Sequence, residues 1–257
     1  MLDNVEHFPY LGSHLSSNVD IQVEVQYRLK CAGAAYGRLR HRVFQNRDIR
    51  TDTKMAVYKA VVLPTLLYAS ETWTTYRRHL KILEKFHQRC LRSILRISWD
   101  DYRTNLSVLE EGKTTSIEAI IIRNQLRWSG HLVRMPDAQL PKQMFYGQLK
   151  DGKRRQGGQM KRYKDLLKAN LKKCDISTST WETVAKDRPV WRRIIAQGSA
   201  TFEAKRCADL AEKRSRRKER QQRPPANIPN GTTCPHCGRN FRARIGLISH
   251  LRTHQDQ

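Results

Sequence analysis

Four residues near the end of the chain, Cys234, Cys237, His250 and His254, fall at the spacing C-x2-C-x12-H-x3-H. A Cys-x-x-Cys turn offers two thiolates, and His at i and i+4 puts two imidazoles on one helix face. Such a set can close a tetrahedron around one Zn²⁺. Phe241 and Leu247, between the ligands, supply the small apolar core that a unit of roughly 25 residues cannot build without a metal. Ligand spacing and core positions agree independently, so one Zn²⁺ is the expected cofactor.

The stretch resembles Cys-Cys-His-His zinc fingers, which implies a ββα unit whose helix reads DNA through positions −1, 3 and 6. Here those positions hold Ala243, Gly246 and Ser249. Ala and Gly carry no side-chain donor or acceptor, and Ser does not discriminate between bases, whereas base selection needs an Arg, Asn, Gln or similar. A lone finger also spans only about three base pairs. The unit therefore reads as a contact module in which Arg239, Arg242, Arg244 and Arg252 grip phosphates.

The rest of the chain agrees with a polyanionic partner. Against 24 Asp+Glu stand 49 Lys+Arg, a formal charge of +25 over 257 residues. A chain this basic binds RNA or DNA through counterion release. An anionic membrane is the rival, but no run approaches about 18 apolar residues and no signal-peptide pattern opens the chain. A soluble protein of a reduced compartment is expected, with Cys31, Cys90, Cys174 and Cys207 as small buried apolar side chains.

The elements that carry these groups are mostly helical. An apolar content of 39% predicts an elongated helical body with a charged surface, and residue patterns along the chain make the fold mostly α, with a short N-terminal β-hairpin remnant, a flexible basic linker and the small C-terminal finger. Residues 1–17 contain a short hairpin or two strand fragments, broken by Pro9 and Gly12. Residues 18–149 form a helical domain. A long amphipathic helix runs from Asp20 to about Gln45, a second from Thr51 to Tyr68 disturbed at Pro64, and a third from Thr75 to Leu95. Thr104 and Ser116 have the form of N-caps, the second for a helix reaching Trp128. A short helix or extended link comes next, at 138–150.

Residues 150–212 contain a basic, glycine-containing loop and further helices, at about Lys161–Lys173, from Trp181 after a Thr180 cap, and from about Pro189. The loop, with Lys153, Arg154, Arg155, Lys161 and Arg162, suits phosphates because glycine lets backbone amides approach closely while the cations supply charge. The alternative is a solvated charged loop. The last helix fades into the run at 213–223, with Lys213, Arg214, Arg216, Arg217 and Lys218, and then a Pro-rich segment, so that 213–230 reads as a linker before the finger at 231–257. The run suits a polyanion-binding arm, a nuclear localisation signal, or both, so the nucleus is the expected compartment, with the cytoplasm as alternative.

Several stretches together resemble one family, the C-terminal part of reverse transcriptases from non-LTR (LINE-like) retrotransposons. They are FPYLGSHLSS (8–17), YKAVVLPTLLYASETWT (58–74), HQRCLRSILRISWDDYRTN (87–105), RNQLRWSGHLVRMPD (123–137) and KRRQGGQMKRYKDLLKANL (153–171), in the family's order. The resemblance implies that the first stretch corresponds to the primer-grip hairpin, with Tyr10 near a primer strand. The helices after it would form a thumb and a C-terminal region that hold primer and template. Such proteins often end in a Cys-Cys-His-Cys knuckle, from which His254 departs.

Catalytic groups of that family are not found. Two-metal nucleotidyl transfer needs carboxylates that hold both ions, and the lone Asp-Asp pair, Asp100-Asp101, follows Ser98 and Trp99 in a link between helices. Capping of the next segment is its expected role. His87 and Cys90, at i and i+3, could be drawn as a nucleophile pair, yet Cys90 continues the apolar stripe of its helix, which predicts core packing. Trp128 and His131, beside Arg127 and Arg134, could stack on bases or pack at a helix end.

The reading is a non-catalytic nucleic-acid-binding fragment of a retrotransposon reverse transcriptase, gripping RNA, RNA–DNA or DNA, and partnered by the upstream polymerase region in cis or in trans. A domesticated zinc-finger protein acting on nuclear DNA is the alternative. A third is an enzyme component active only with that polymerase supplied.

Overall fold

Leu11 and Gly12 both adopt positive φ, 46° and 81°, the conformation that a two-residue hairpin loop requires. They join β1 (His7–Tyr10) to β2 (Ser13–Ser16), antiparallel with Tyr10 opposite Ser13. The computed structural model describes residues 5–18, 20–147, 160–222, 232–241 and 243–254. These fall into two units, Met1–Arg206 and Cys207–Gln257.

In the first unit, the hairpin is tied to α1 (Gln22–Leu39). The buried Glu24 accepts from the His14 backbone N–H at 2.6 Å and pairs with Arg28 at 2.6 Å, while Arg28 donates onward to the Gly12 carbonyl. Both charges lie out of water, and each is paired and hydrogen-bonded, the condition under which burying them is tolerable. A wider π-helical turn (Arg40–Phe44) ends α1. Next come α2 (Thr51–Val57), a π-helical turn (Tyr58–Val62) and α3 (Leu63–Leu66). The disturbance expected from Pro64 is thus absorbed just before it. The proline then sits in the first turn of α3, directly after the π-helical turn.

The third long helix, α4 (Arg77–Leu95), packs Leu83, Cys90, Leu91 and Ile94 inward. After a 3-10 turn at Trp99–Asp101, Thr104 caps α5 (Asn105–Glu111) by accepting from Ser107 N–H at 3.1 Å. Ser116 caps α6 (Ile117–Arg134) by accepting from Ala119 N–H at 3.3 Å. The sequence expectation ends this helix at Trp128, and the structure continues it through Ser129 and Gly130 to Arg134. The reason is tertiary: Gly130 is buried, and a Cβ placed on it would lie 2.1 Å from Trp191 Nε1. The glycine permits a close helix approach here instead of stopping the helix.

Two cores share α6. Ile117, Ile120 and Ile121 belong to the first, with residues of α1 to α5. Ile122, Leu126 and Val133 belong to the second. The helices of this second core come after α7 (Leu140–Tyr146): they are α8 (Tyr163–Lys173), α9 (Trp181–Lys186) and α10 (Arg188–Gln222). A buried amide chain crosses it, Asn170 donating to Gln125 Oε1 at 2.6 Å and Gln125 to the Trp73 carbonyl at 2.8 Å. Glu203 on α10 accepts from the Ser116 N–H and hydroxyl at 2.9 and 2.6 Å, which places a carboxylate at the N-terminus of α6. The expected Thr180 cap is corrected. Thr180 has φ −109° and ψ −7°, helical instead of extended, and its side chain makes no capping bond to α9.

In the second unit, α10 continues to Gln222, so the first ten residues of the expected 213–230 linker are helical. Lys, Arg, Glu and Gln all favour helix, and an Arg216–Glu212 pair at 2.6 Å stands at i, i+4. Residues 223–231 lie outside the described residues. The finger is built from β3 (Thr232–Thr233) paired antiparallel with β4 (Asn240–Phe241), then α11 (Arg244–Leu251) and a 3-10 turn at Arg252–His254.

Candidate metal centre and basic surfaces

Between the two short strands, the Cys234 N–H bonds the Arg239 carbonyl at 2.8 Å and the Gly238 N–H bonds the Cys234 carbonyl at 2.9 Å. This tight turn needs a left-handed residue, supplied by Gly238 at φ 69°. It holds Cys234 and Cys237 toward α11 and the turn after it, which carry His250 and His254. One ligand atom from each of the four lies within 4.8 Å of every other. Cys237 Sγ is 3.0 Å from His250 Nε2, which is 3.1 Å from His254 Nε2. Tetrahedral ligands of a Zn²⁺-sized ion stand roughly 3.3–3.8 Å apart, from metal–ligand lengths of about 2.0–2.3 Å. The set therefore fits one metal ion, with both imidazoles presenting Nε2.

Support for the ligands comes from the residues between them. Leu247 is buried, and the Phe241 ring lies 4.8 Å from that of His250. At Cys234, burial alone pushes the thiol pKa up, but hydrogen bonds from the backbone of Cys237 and His236 and from the Cys237 side chain outweigh it, so the pKa falls. Burial, then the neighbouring His254 and Arg239, lower that of His250. Both shifts favour the forms that ligate, thiolate and neutral imidazole.

The positions that would read bases carry no such capacity. Ala243 and Ser249 are exposed and Gly246 half-buried, and beside them Ile245 and Ile248 are exposed apolar side chains. Of the finger's arginines, Arg239 sits 5.8 Å over the Phe241 ring, Arg244 and Arg252 are exposed, and Arg242 lies outside the described residues.

Lys153, Arg154 and Arg155 also lie outside the described residues. Lys161 and Arg162 are exposed immediately before α8, where Lys161 Nζ stands 5.0 Å over the Tyr76 ring. Lys213, Arg214, Arg216, Arg217 and Lys218 are exposed on α10, with Arg216 engaged by Glu212. Two arginines not singled out by sequence, Arg188 and Arg192, stand near Arg134. Their i, i+4 spacing on α10 was visible, but their neighbour across the fold was not.

The two sets considered for catalysis have structural roles. Asp101 accepts from the Ser98 N–H at 2.7 Å, so it caps its own 3-10 turn instead of the following helix, whose cap is Thr104. The short link leaves its carboxylate next to the preceding N–H groups. His87 is fully buried and bonds Tyr58 Oη through Nδ1 at 2.7 Å. Burial lowers the His87 imidazole to about 4 and raises the Cys90 thiol to about 12, so neither is poised as base or nucleophile. Cys90 and Cys174 are buried, whereas Cys31 and Cys207 are only half-buried.

The fold and site together define a mostly helical protein with a small Cys-Cys-His-His module suited to one metal ion. Over 209 residues the chain is 25% identical to an uncharacterized transposon-derived protein of Caenorhabditis elegans, a match covering 77% of this chain and 73% of that protein. No protein-family model and no solved structure matches the chain. Among the described residues, no helix is long and apolar enough to cross a membrane.

Proposed function

We propose that this chain is a non-catalytic nucleic-acid-binding fragment of a non-LTR retrotransposon reverse transcriptase. The observation that carries the reading is the match to a transposon-derived protein across most of both chains. The net charge of +25 and the retroelement-like stretches in series support it. The body holds RNA or an RNA–DNA duplex by backbone contacts, through Lys161, Arg162 and the exposed cations of α10. Zn²⁺ is the ion of the finger, held by Cys234, Cys237, His250 and His254, and it supplies the tie that keeps so small a unit folded. Arg239 and Arg244 then add phosphate contacts. Ala243, Gly246 and Ser249 argue against a sequence-selective nuclear DNA reader. The basic run of α10 also suits nuclear import, and the upstream polymerase region, in cis or in trans, is the partner that would contribute catalysis.

The test is a salt titration of binding to labelled RNA, RNA–DNA and DNA of mixed sequence. Affinity is expected to fall steeply with salt and to vary little with sequence. Changing Lys213, Arg214 and Arg217 to Gln is expected to flatten the log–log slope by about two to three. A slope near zero for the parent chain would sink the proposal.

A further inference from the structure

The outer stripe of α6 carries Arg127, Trp128, His131 and Arg134, at i, i+1, i+4 and i+7. Across from it, Trp191 of α10 is buried against Gly130 and donates its indole N–H to the Leu126 carbonyl at 3.0 Å. This close approach places Arg188 and Arg192 of α10 beside the α6 stripe. The six side chains line one open groove of about 530 Å³.

Among the described residues, none of the four arginines has a carboxylate at ion-pair distance. Among the described residues, Glu71 is the one acid in the groove lining. Arg134 is anchored through one guanidinium nitrogen to the Ala185 carbonyl. Burial, then the charges of Arg188 and Arg192, lower its pKa, as expected where like charges crowd. Trp128 is half-buried, and its ring lies 5.4 Å from the ring of His131 at 50°. Convergent guanidinium groups suit phosphate oxygens, and a part-exposed indole beside an imidazole suits the face of an unpaired base. A paired base offers no such face except at a duplex end.

We infer that this groove is a binding site for single-stranded nucleic acid, in which Arg127, Arg134, Arg188 and Arg192 hold successive phosphates and Trp128 stacks on one base. The inference rests on the nucleic-acid reading above and adds to it a location, a strand state and a stacking residue. His131 flanks the stacked base.

The test uses the full zinc-loaded chain and a fluorescein-labelled oligouridylate of about twelve nucleotides, against the same strand in a duplex, across a salt series. Arg127→Gln with Arg192→Gln is expected to flatten the slope for the single strand by about 1.4, two phosphate contacts at about 0.7 each. Trp128→Ala is expected to weaken it about tenfold with the slope unchanged, and Trp128→Phe to restore most of the loss. If the parent binds and these variants bind identically, the groove is wrong while the general reading stands. If the duplex loses as much as the single strand, the strand assignment is overturned. A parent chain that binds neither overturns both. Thermal unfolding of each variant separates lost binding from lost structure.

Discussion

The finger and the α6–α10 groove make opposite use of the chain. The finger's ligands lie between Cys234 and His254, within one stretch of sequence, and short turns bring them together. The groove draws Arg127 and Arg134 from one helix and Arg188 and Arg192 from another, brought together where Trp191 packs on Gly130 and bonds the Leu126 carbonyl. A site made of neighbours in sequence depends on its ion, whereas one made of distant residues depends on the core beneath it. Separate perturbations should therefore break one and leave the other intact.

The largest effect is expected at the metal. Cys237→Ser, or removal of the ion by a chelator, should unfold the finger outright, since apparent binding energies for such sites are on the order of 10 kcal/mol. Loss of dispersed amide resonances for 232–254, with those of α1 to α9 unmoved, is the expected spectrum. A body that melts with the finger would end the comparison. Next comes Gly130→Ala, whose added methyl group meets the buried Trp191 ring. Overpacking of this kind should cost about 3 kcal/mol in chemical denaturation and disturb the groove while metal binding persists. An unchanged midpoint would mean that α6 and α10 are not so tightly apposed.

The smallest effect is one of pH and belongs to the body alone. Burial holds the His87 pKa at about 4, below its ordinary 6.5. Between those values the unfolded chain takes up a proton that the folded chain refuses. The stabilisation is thus complete above about pH 6.5 and declines as pH falls toward 4, by about 2 kcal/mol between about pH 7 and pH 5. Urea unfolding of the body at the two pH values measures it. His87→Gln, which keeps a partner for Tyr58, should remove most of the difference. A difference that persists in the variant would assign it to other groups.

Much of the body could be read from its residues because the signals were local. Thr104 and Ser116 cap the helices their positions suggest, since a hydroxyl reaches an N–H only three residues on. The Leu11–Gly12 turn and the stripe ending in Cys90 and Ile94 are equally local. One error came where another element intervened. The helix expected to reach Trp128 runs on to Arg134, through Gly130, where Trp191 packs. A local signal was missed at 213–222, grouped with the proline-marked linker after it although its residues favour helix and pair along it.

By itself the sequence determined the helical class, the hairpin, the four residues able to hold a metal ion and the excess of positive charge, all properties of residues close together or summed over the chain. Only the tertiary structure decided that α6 serves two cores, that His87 is neutral at the centre of one, and that four arginines converge near Trp128. Those facts depend on which helices touch, and that is set by the interlocking of side chains distant in sequence, with a single missing Cβ at Gly130 fixing how closely two of them approach.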